Sequence, residues 1–179
     1  MIDRPLYLNK IMPYVDTPFV KILTGVRRCG KSTILKMIMK KLKEERNVVD
    51  EQILNYRFDS MEYEDMTTKE LYLELKSKIL QDKKMYLFLD EIQVCAEART
   101  AVKFLVEDGS VDVISSGSLL GLSYLEDDDK NVTEPTSLPV GYEEQITMYS
   151  LDFEEFLWAK GYNDDAIAYL KDFYISNKE

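Results

Sequence analysis

The sequence predicts an α/β fold in which helices alternate with the strands of a buried parallel sheet. Three observations carry that expectation. Phe19–Thr24 is a short, apolar, β-branched run that leads into a glycine loop and then a helix-patterned stretch to about Arg46. Lys84–Leu89 is the most strand-like run in the chain, and it stops abruptly at Asp90-Glu91. Val111–Ser116 is a further strand, ended by Gly117-Ser118.

In chain order, residues 1–18 hold Pro5, Pro13 and Pro18 and read as an irregular lead-in with one short helical turn near Leu8–Met12. After the first strand, Gly25-Val26-Arg27-Arg28-Cys29-Gly30-Lys31-Ser32 fits G-x-x-x-x-G-K-[ST], the phosphate-binding loop of nucleotide triphosphatases. A loop that wraps a phosphate must turn its backbone N–H groups inward, and glycine permits the dihedrals and the close approach. Lys31 is then expected to reach the β- and γ-phosphates, and the Ser32 hydroxyl to hold Mg²⁺, with Thr33 next on the same turn. Ile34, Leu35, Ile38, Met39 and Leu42 recur at helical spacing, with Lys36, Lys40, Lys41 and Lys43 on the other face. Strand, glycine loop and helix is the order the chemistry requires, because the helix N-terminus also faces the phosphates. The blander alternative is a glycine turn before an ordinary amphipathic helix; the strand ahead weighs against it.

Gln52–Phe58 is the second strand expected, and Thr67/Thr68 precede an amphipathic helix through Leu71, Leu75, Ile79 and Leu80. At the end of the third strand, apolar and aromatic residues followed by two acids make the Walker B pattern. Carboxyl ends of parallel strands are where α/β sheets bind ligands. Asp90 is placed to orient the Mg²⁺ shell opposite Ser32, and Glu91 to polarise an attacking water. The simpler alternative is a helix cap with an acidic first turn. A helix over about Ala98–Val106 closes at Gly109. A polar residue at the end of the fourth strand could touch the γ-phosphate, though a serine-rich turn there serves equally as a cap.

Residues 121–143 form a long polar loop with the acidic run Glu126–Asp129, which lacks the alternating ligands of a calcium loop. Gln145–Tyr149 reads as a fifth strand. Phe153, Phe156, Leu157 and Trp158 start a helix that ends at Gly161, and Ala166–Tyr174 form a last one.

Composition narrows the function. The chain has 179 residues, enough for one domain with a full core. Its two cysteines and lack of histidine exclude a histidine-based triad and argue against a zinc site or a disulfide framework. No apolar run approaches 18 residues, so a cytoplasmic protein without a membrane span is expected. Residues 1–46 carry 11 basic and 4 acidic side chains, a net +7, against a whole-chain −10. The acidic remainder disfavours non-specific nucleic-acid binding. Cys29, among Arg27, Arg28 and Lys31 at a helix N-terminus, reads either as a reactive thiol that ATP would protect or, equally, as a small residue tolerated at a variable loop position.

With both motifs in place, the chain resembles the AAA+ ATPases of bacteria and archaea that carry a C-terminal domain of unknown function. The matching segments are Arg4–Leu8, Gly25–Ser32, Leu87–Gln93, Val113–Leu120, Pro139–Tyr142 and Tyr149–Leu157. The resemblance implies a three-layer P-loop NTPase core with a five-stranded parallel sheet in order 5-1-4-3-2 and helices on both faces. It implies an ATPase core over residues 1–150 and the start of an incomplete helical lid over 151–179. It also implies a sensor residue at the end of the fourth strand, at Ser116, with Ser118 as second choice. Mg²⁺-dependent ATP hydrolysis, self-association and an unknown protein target follow from the same likeness. A nucleotide-gated switch with little turnover is the alternative. A small-molecule kinase fits less well, since its lid would need arginines that 121–143 lack. The family completes its site with an arginine finger and a second sensor arginine. Residues 100–179 contain no arginine, so hydrolysis is expected to be slow here.

Overall fold

The computed structural model describes residues 2–60, 63, 66–107, 109, 111–118 and 143–177. Five parallel strands make one sheet: β1 Val20–Gly25, β2 Ile53–Arg57, β3 Met85–Asp90, β4 Val111–Ser118 and β5 Glu143–Met148. Their spatial order is β2-β3-β4-β1-β5, as the resemblance implied. The fourth strand therefore lies between the loop strand and the strand that ends on Asp90.

The pleat sends alternate side chains to opposite faces. From β3, Met85, Leu87 and Leu89 enter one core with Leu71, Leu75, Ala101, Val102 and Leu105. These come from helices α3 (Thr68–Lys78) and α4 (Ala96–Glu107). Tyr86 and Phe88 enter the opposite core with Tyr7, Leu8, Ile11, Ile34, Leu35, Ile38 and Leu42. Those belong to α1 (Pro5–Ile11) and α2 (Lys31–Arg46). Two short helices, α5 (Phe153–Ala159) and α6 (Asp164–Ser176), close the described chain.

Several boundaries are set by chemistry visible locally. Thr67 caps α3 by accepting from the Glu70 amide, and Glu70 reaches back to the Thr67 amide. Asp152 and Glu155 make the same reciprocal cap on α5. Asn47, at φ 55°, ends α2 in the left-handed conformation.

Two expectations change. The lead-in is ordered: residues 5–11 form a helix with three buried side chains, followed by a 3₁₀ turn at Met12–Tyr14. Pro5 starts that helix, where its missing N–H removes no hydrogen bond. β4 also runs to Ser118, so Ser116 lies inside the strand rather than at its end. The acidic run Glu126–Asp129 and the segments 119–120 and 139–142 lie outside the described residues.

Near the N-terminal end of β1, Lys21 and Asp112 form a fully buried ion pair. Lys21 Nζ also donates to the Thr17 carbonyl at 3.0 Å, and the Asp16 amide donates to Asp112 at 2.6 Å. Burial pushes the Lys21 pKa down and that of Asp112 up; each is offset in part by the other's charge. The pair fastens β1 to β4 at the end remote from the glycine loop.

Candidate functional site

The site is built where β1, β3 and β4 end. The glycine loop leaves β1 at Gly25 and enters α2 at Lys31. Gly25 has φ 151°, and a Cβ there would stand 2.3 Å from the Met148 carbonyl oxygen of β5. That oxygen is backbone and has little room to yield. Gly25→Ala is therefore expected to destabilise the fold by about 3 kcal/mol through overpacking and strain. Urea unfolding would measure it; an unchanged midpoint would mean the loop tolerates displacement at its root.

Arg28, at φ 67°, and Gly30, at φ 100°, both take the left-handed conformation, so the chain curls tightly before the helix. Gly30 provides no side-chain cap, which leaves first-turn N–H groups of α2 available to an anion. Val26, Arg27 and Arg28 are exposed along the loop, while Ser32 and Thr33 are half-buried on the first turn. Lys31 is buried, and its Nζ lies 3.3 Å from both the Gly25 and Val26 carbonyls.

Across the sheet, Lys31 Nζ stands 3.8 Å from Glu91 Oε1, so the loop lysine and the acid after β3 share one space. Glu91 has φ 56°, an unfavourable conformation for a residue with a Cβ, and its side chain keeps 23% exposure. Two neighbours hold it. The Glu91 amide donates to Ser116 Oγ at 3.2 Å, and Gln93 Nε2 donates to Glu91 Oε2 at 2.6 Å. Ser116 Oγ in turn donates to Asp90 Oδ1. The buried serine thus ties both acids to β4.

Whether these residues suit a magnesium nucleotide can be judged from the donors. Mg²⁺ commonly takes one or two protein oxygens, with water and phosphates filling the rest of its shell. Ser32 and Asp90 offer that kind of sparse set, and the described residues contain no group of three or more metal-ligating side chains. The glycine curl, a buried lysine and an uncapped helix start suit the phosphates. The set fits.

Cys29 departs from the reactive-thiol reading. Its side chain is 3% exposed and packs in the apolar core with Tyr7, Leu8 and Ile34, so its basic neighbours in sequence do not make it an accessible thiol. Cys95 is also buried.

The sequence reading missed Arg4, Glu155 and Gln93 as parts of the site. Arg4 is 2% exposed and lies against the glycine loop: Nη1 donates to the Cys29 carbonyl at 2.7 Å. Its Nε and Nη2 each meet a Glu155 oxygen at 2.8 Å. Arg4 and Glu155 fall in segments that carried the resemblance, but 151 residues separate them and no local pattern announces the pairing. Gln93 stands two residues beyond Glu91, within reach of a careful reading of that turn.

A family model described as an AAA domain matches residues 17–157. An uncharacterized protein of Haemophilus influenzae is 31% identical over 181 residues, taking in 100% of this chain and 42% of the relative. The chain thus spans under half the length of that relative. Among solved structures, a DNA polymerase III gamma subunit-related protein of Thermotoga maritima aligns with TM-score 0.57 at 12% identity. That alignment covers 91% of this chain and 51% of the other. The ORC2 protein of Aeropyrum pernix, described in ADPNP-ADP complexes, aligns with TM-score 0.51 at 14% identity, covering 87% and 48%. The Pif1 helicase of Candida albicans aligns at 0.52 and 13%, covering 93% and 46%. At such identities the three establish likeness of fold.

Proposed function

Since the chain belongs to the AAA domain family, we propose that its nucleotide is Mg²⁺-ATP and that it hydrolyses it slowly. The observation that carries this reading is the 3.8 Å approach of Lys31 to Glu91, which brings phosphate loop and acid together across β4. In this reading the loop from Gly25 to Gly30 and the first turn of α2 cradle the phosphates. Ser32 and Asp90 would hold Mg²⁺, which supplies charge neutralisation on the phosphates when bound. Glu91 accepts a proton from water, and Ser116 keeps both acids in place. In the same reading residues 1–150 are the ATPase core and 151–179 belong to a helical lid.

A second reading, a nucleotide-gated switch with little turnover, is favoured by one observation. Residues 100–179 carry no arginine and Arg99 is buried, so residues 99–179 offer no exposed guanidinium to a neighbouring site. A site that no arginine finger reaches can turn over ~10³–10⁵ more slowly. Binding to an unknown protein target would then be the output. Nucleic-acid binding is not favoured by the net charge of −10. Among the described residues no helix is long and apolar enough to cross a membrane.

The test is phosphate release from Mg²⁺-ATP across a protein concentration series, alongside equilibrium binding. Saturable binding with turnover that rises faster than linearly with protein is the expected result. It would mean that one copy supplies a group to the site of another. Absence of saturable binding would overturn the reading.

A further inference from the structure

Arg4 makes more contacts than holding α1 in place requires. Its guanidinium is buried, stacks 4.5 Å from the Tyr7 ring centroid, and spends its donors on three separate parts of the chain. Nη1 takes the Cys29 carbonyl of the glycine loop. Nη2 takes the Tyr149 carbonyl, just after β5, at 3.0 Å. Nε and Nη2 grip Glu155 of α5 in a two-point ion pair. Glu155 also accepts from the Asp152 amide at 3.1 Å, so the same carboxylate caps α5 and receives Arg4. Burial by itself would lower the Arg4 pKa, but the hydrogen bond and charge of Glu155 raise it overall. The Tyr149 amide donates to Tyr7 Oη at 3.0 Å, a second clasp on the same turn.

The geometry gives this network a consequence at the loop. In a planar trans peptide the carbonyl and the next N–H point in opposite directions. Holding the Cys29 carbonyl toward Arg4 therefore turns the Gly30 N–H away from Arg4. Gly30 sits close enough that a Cβ would come within 3.3 Å of Arg4 Nη1. A swing of the 29–30 peptide would break its hydrogen bond to Arg4 or draw Arg4 with it, and Arg4 is tied in turn to Glu155 by two hydrogen bonds.

We propose that Arg4 is a positioning residue that fixes the Cys29–Gly30 peptide for phosphate binding and couples the glycine loop to α5 through Glu155. The proposal rests on the nucleotide-binding reading above. Lysine at position 4 keeps the charge but has no planar fork, so it cannot hold the loop carbonyl and both Glu155 oxygens together. Affinity falls in proportion to the fraction of loops left in the binding arrangement. An Arg4→Lys chain with that fraction at one tenth would bind Mg²⁺-ADP about tenfold more weakly.

Hydrogen exchange on the full chain, with and without saturating Mg²⁺-ADP, tests this in wild type, Arg4→Lys and Glu155→Gln. In wild type, nucleotide should slow exchange in peptides covering both 26–34 and 152–159. In both variants the loop peptide should still respond while the 152–159 peptide does not. Equal responses of 152–159 in all three proteins would overturn the coupling, as would a wild-type loop that responds alone. A wild type that responds in neither peptide would instead overturn the nucleotide reading. The nucleotide-free samples then decide the coupling: faster exchange of 26–34 in Glu155→Gln supports it, and an unchanged rate overturns it. The second variant keeps the test alive if Arg4→Lys fails to fold.

Discussion

Replacing Lys31 with alanine is expected to weaken Mg²⁺-ATP binding a hundredfold or more while leaving the fold intact. The Lys31 side chain is 3% exposed, and its ammonium is held at the mouth of the glycine loop by the Gly25 and Val26 carbonyls, each 3.3 Å away. It is therefore already oriented where β- and γ-phosphates would lie, and little side-chain entropy remains to be lost on binding. Hydrogen bonds from a charged donor to a charged acceptor contribute about 1.5–3 kcal/mol each. Two of them correspond to a hundredfold or more in affinity. Stability should change little, because α2 is anchored by the fully buried Ile34, Ile38 and Leu42 rather than by Lys31. Titration with a fluorescent nucleotide, paired with a thermal melt, reads both quantities. Undiminished affinity in a folded Lys31→Ala protein would place the nucleotide somewhere other than this loop.

How much of this was legible in the sequence depended on whether the signal was local. The strands were readable because runs such as Met85–Leu89 are buried on both faces and bounded by charge or glycine. The helix α2 was readable from its 3.6-residue stripe. The lead-in helix was obscured by its prolines, although Tyr7, Leu8 and Ile11 have the spacing of a buried face. Pro5 looks like a breaker in a list of residues and acts as a helix starter at its actual position. Ser116 was singled out by likeness to a family and lies two residues before the end of β4. From there its hydroxyl still reaches both Asp90 and the Glu91 amide. Cys29 misled because neighbours along the chain are not neighbours in space. In a loop with φ 67° at Arg28 and 100° at Gly30, the thiol turns into the core while the arginines turn out. The Arg4–Glu155 pair had no sequence signature, since ion pairs closed by tertiary structure leave no period.

Glu91→Gln is the substitution that separates the two functional readings, and it is expected to cut turnover by ~10²–10⁴ without weakening nucleotide binding. The side-chain amide has the shape of the carboxylate, so the left-handed backbone at residue 91 and the hydrogen bond that its backbone N–H donates to Ser116 Oγ should persist. What disappears is proton affinity and negative charge. A glutamine cannot take a proton from water, and its partial exposure shows that water reaches this side chain. Loss of the charge 3.8 Å from Lys31 also frees the lysine's field for an incoming phosphate, so affinity should hold or increase. Single-turnover phosphate release and equilibrium binding on the same two proteins measure the split. A wild type that turns over and a Glu91→Gln chain that binds but stalls make Glu91 the group that acts on water. If wild type and variant bind equally and neither turns over, Glu91 serves the conformation of the β3 turn. Nucleotide occupancy, passed through the loop to α5, is then itself the output.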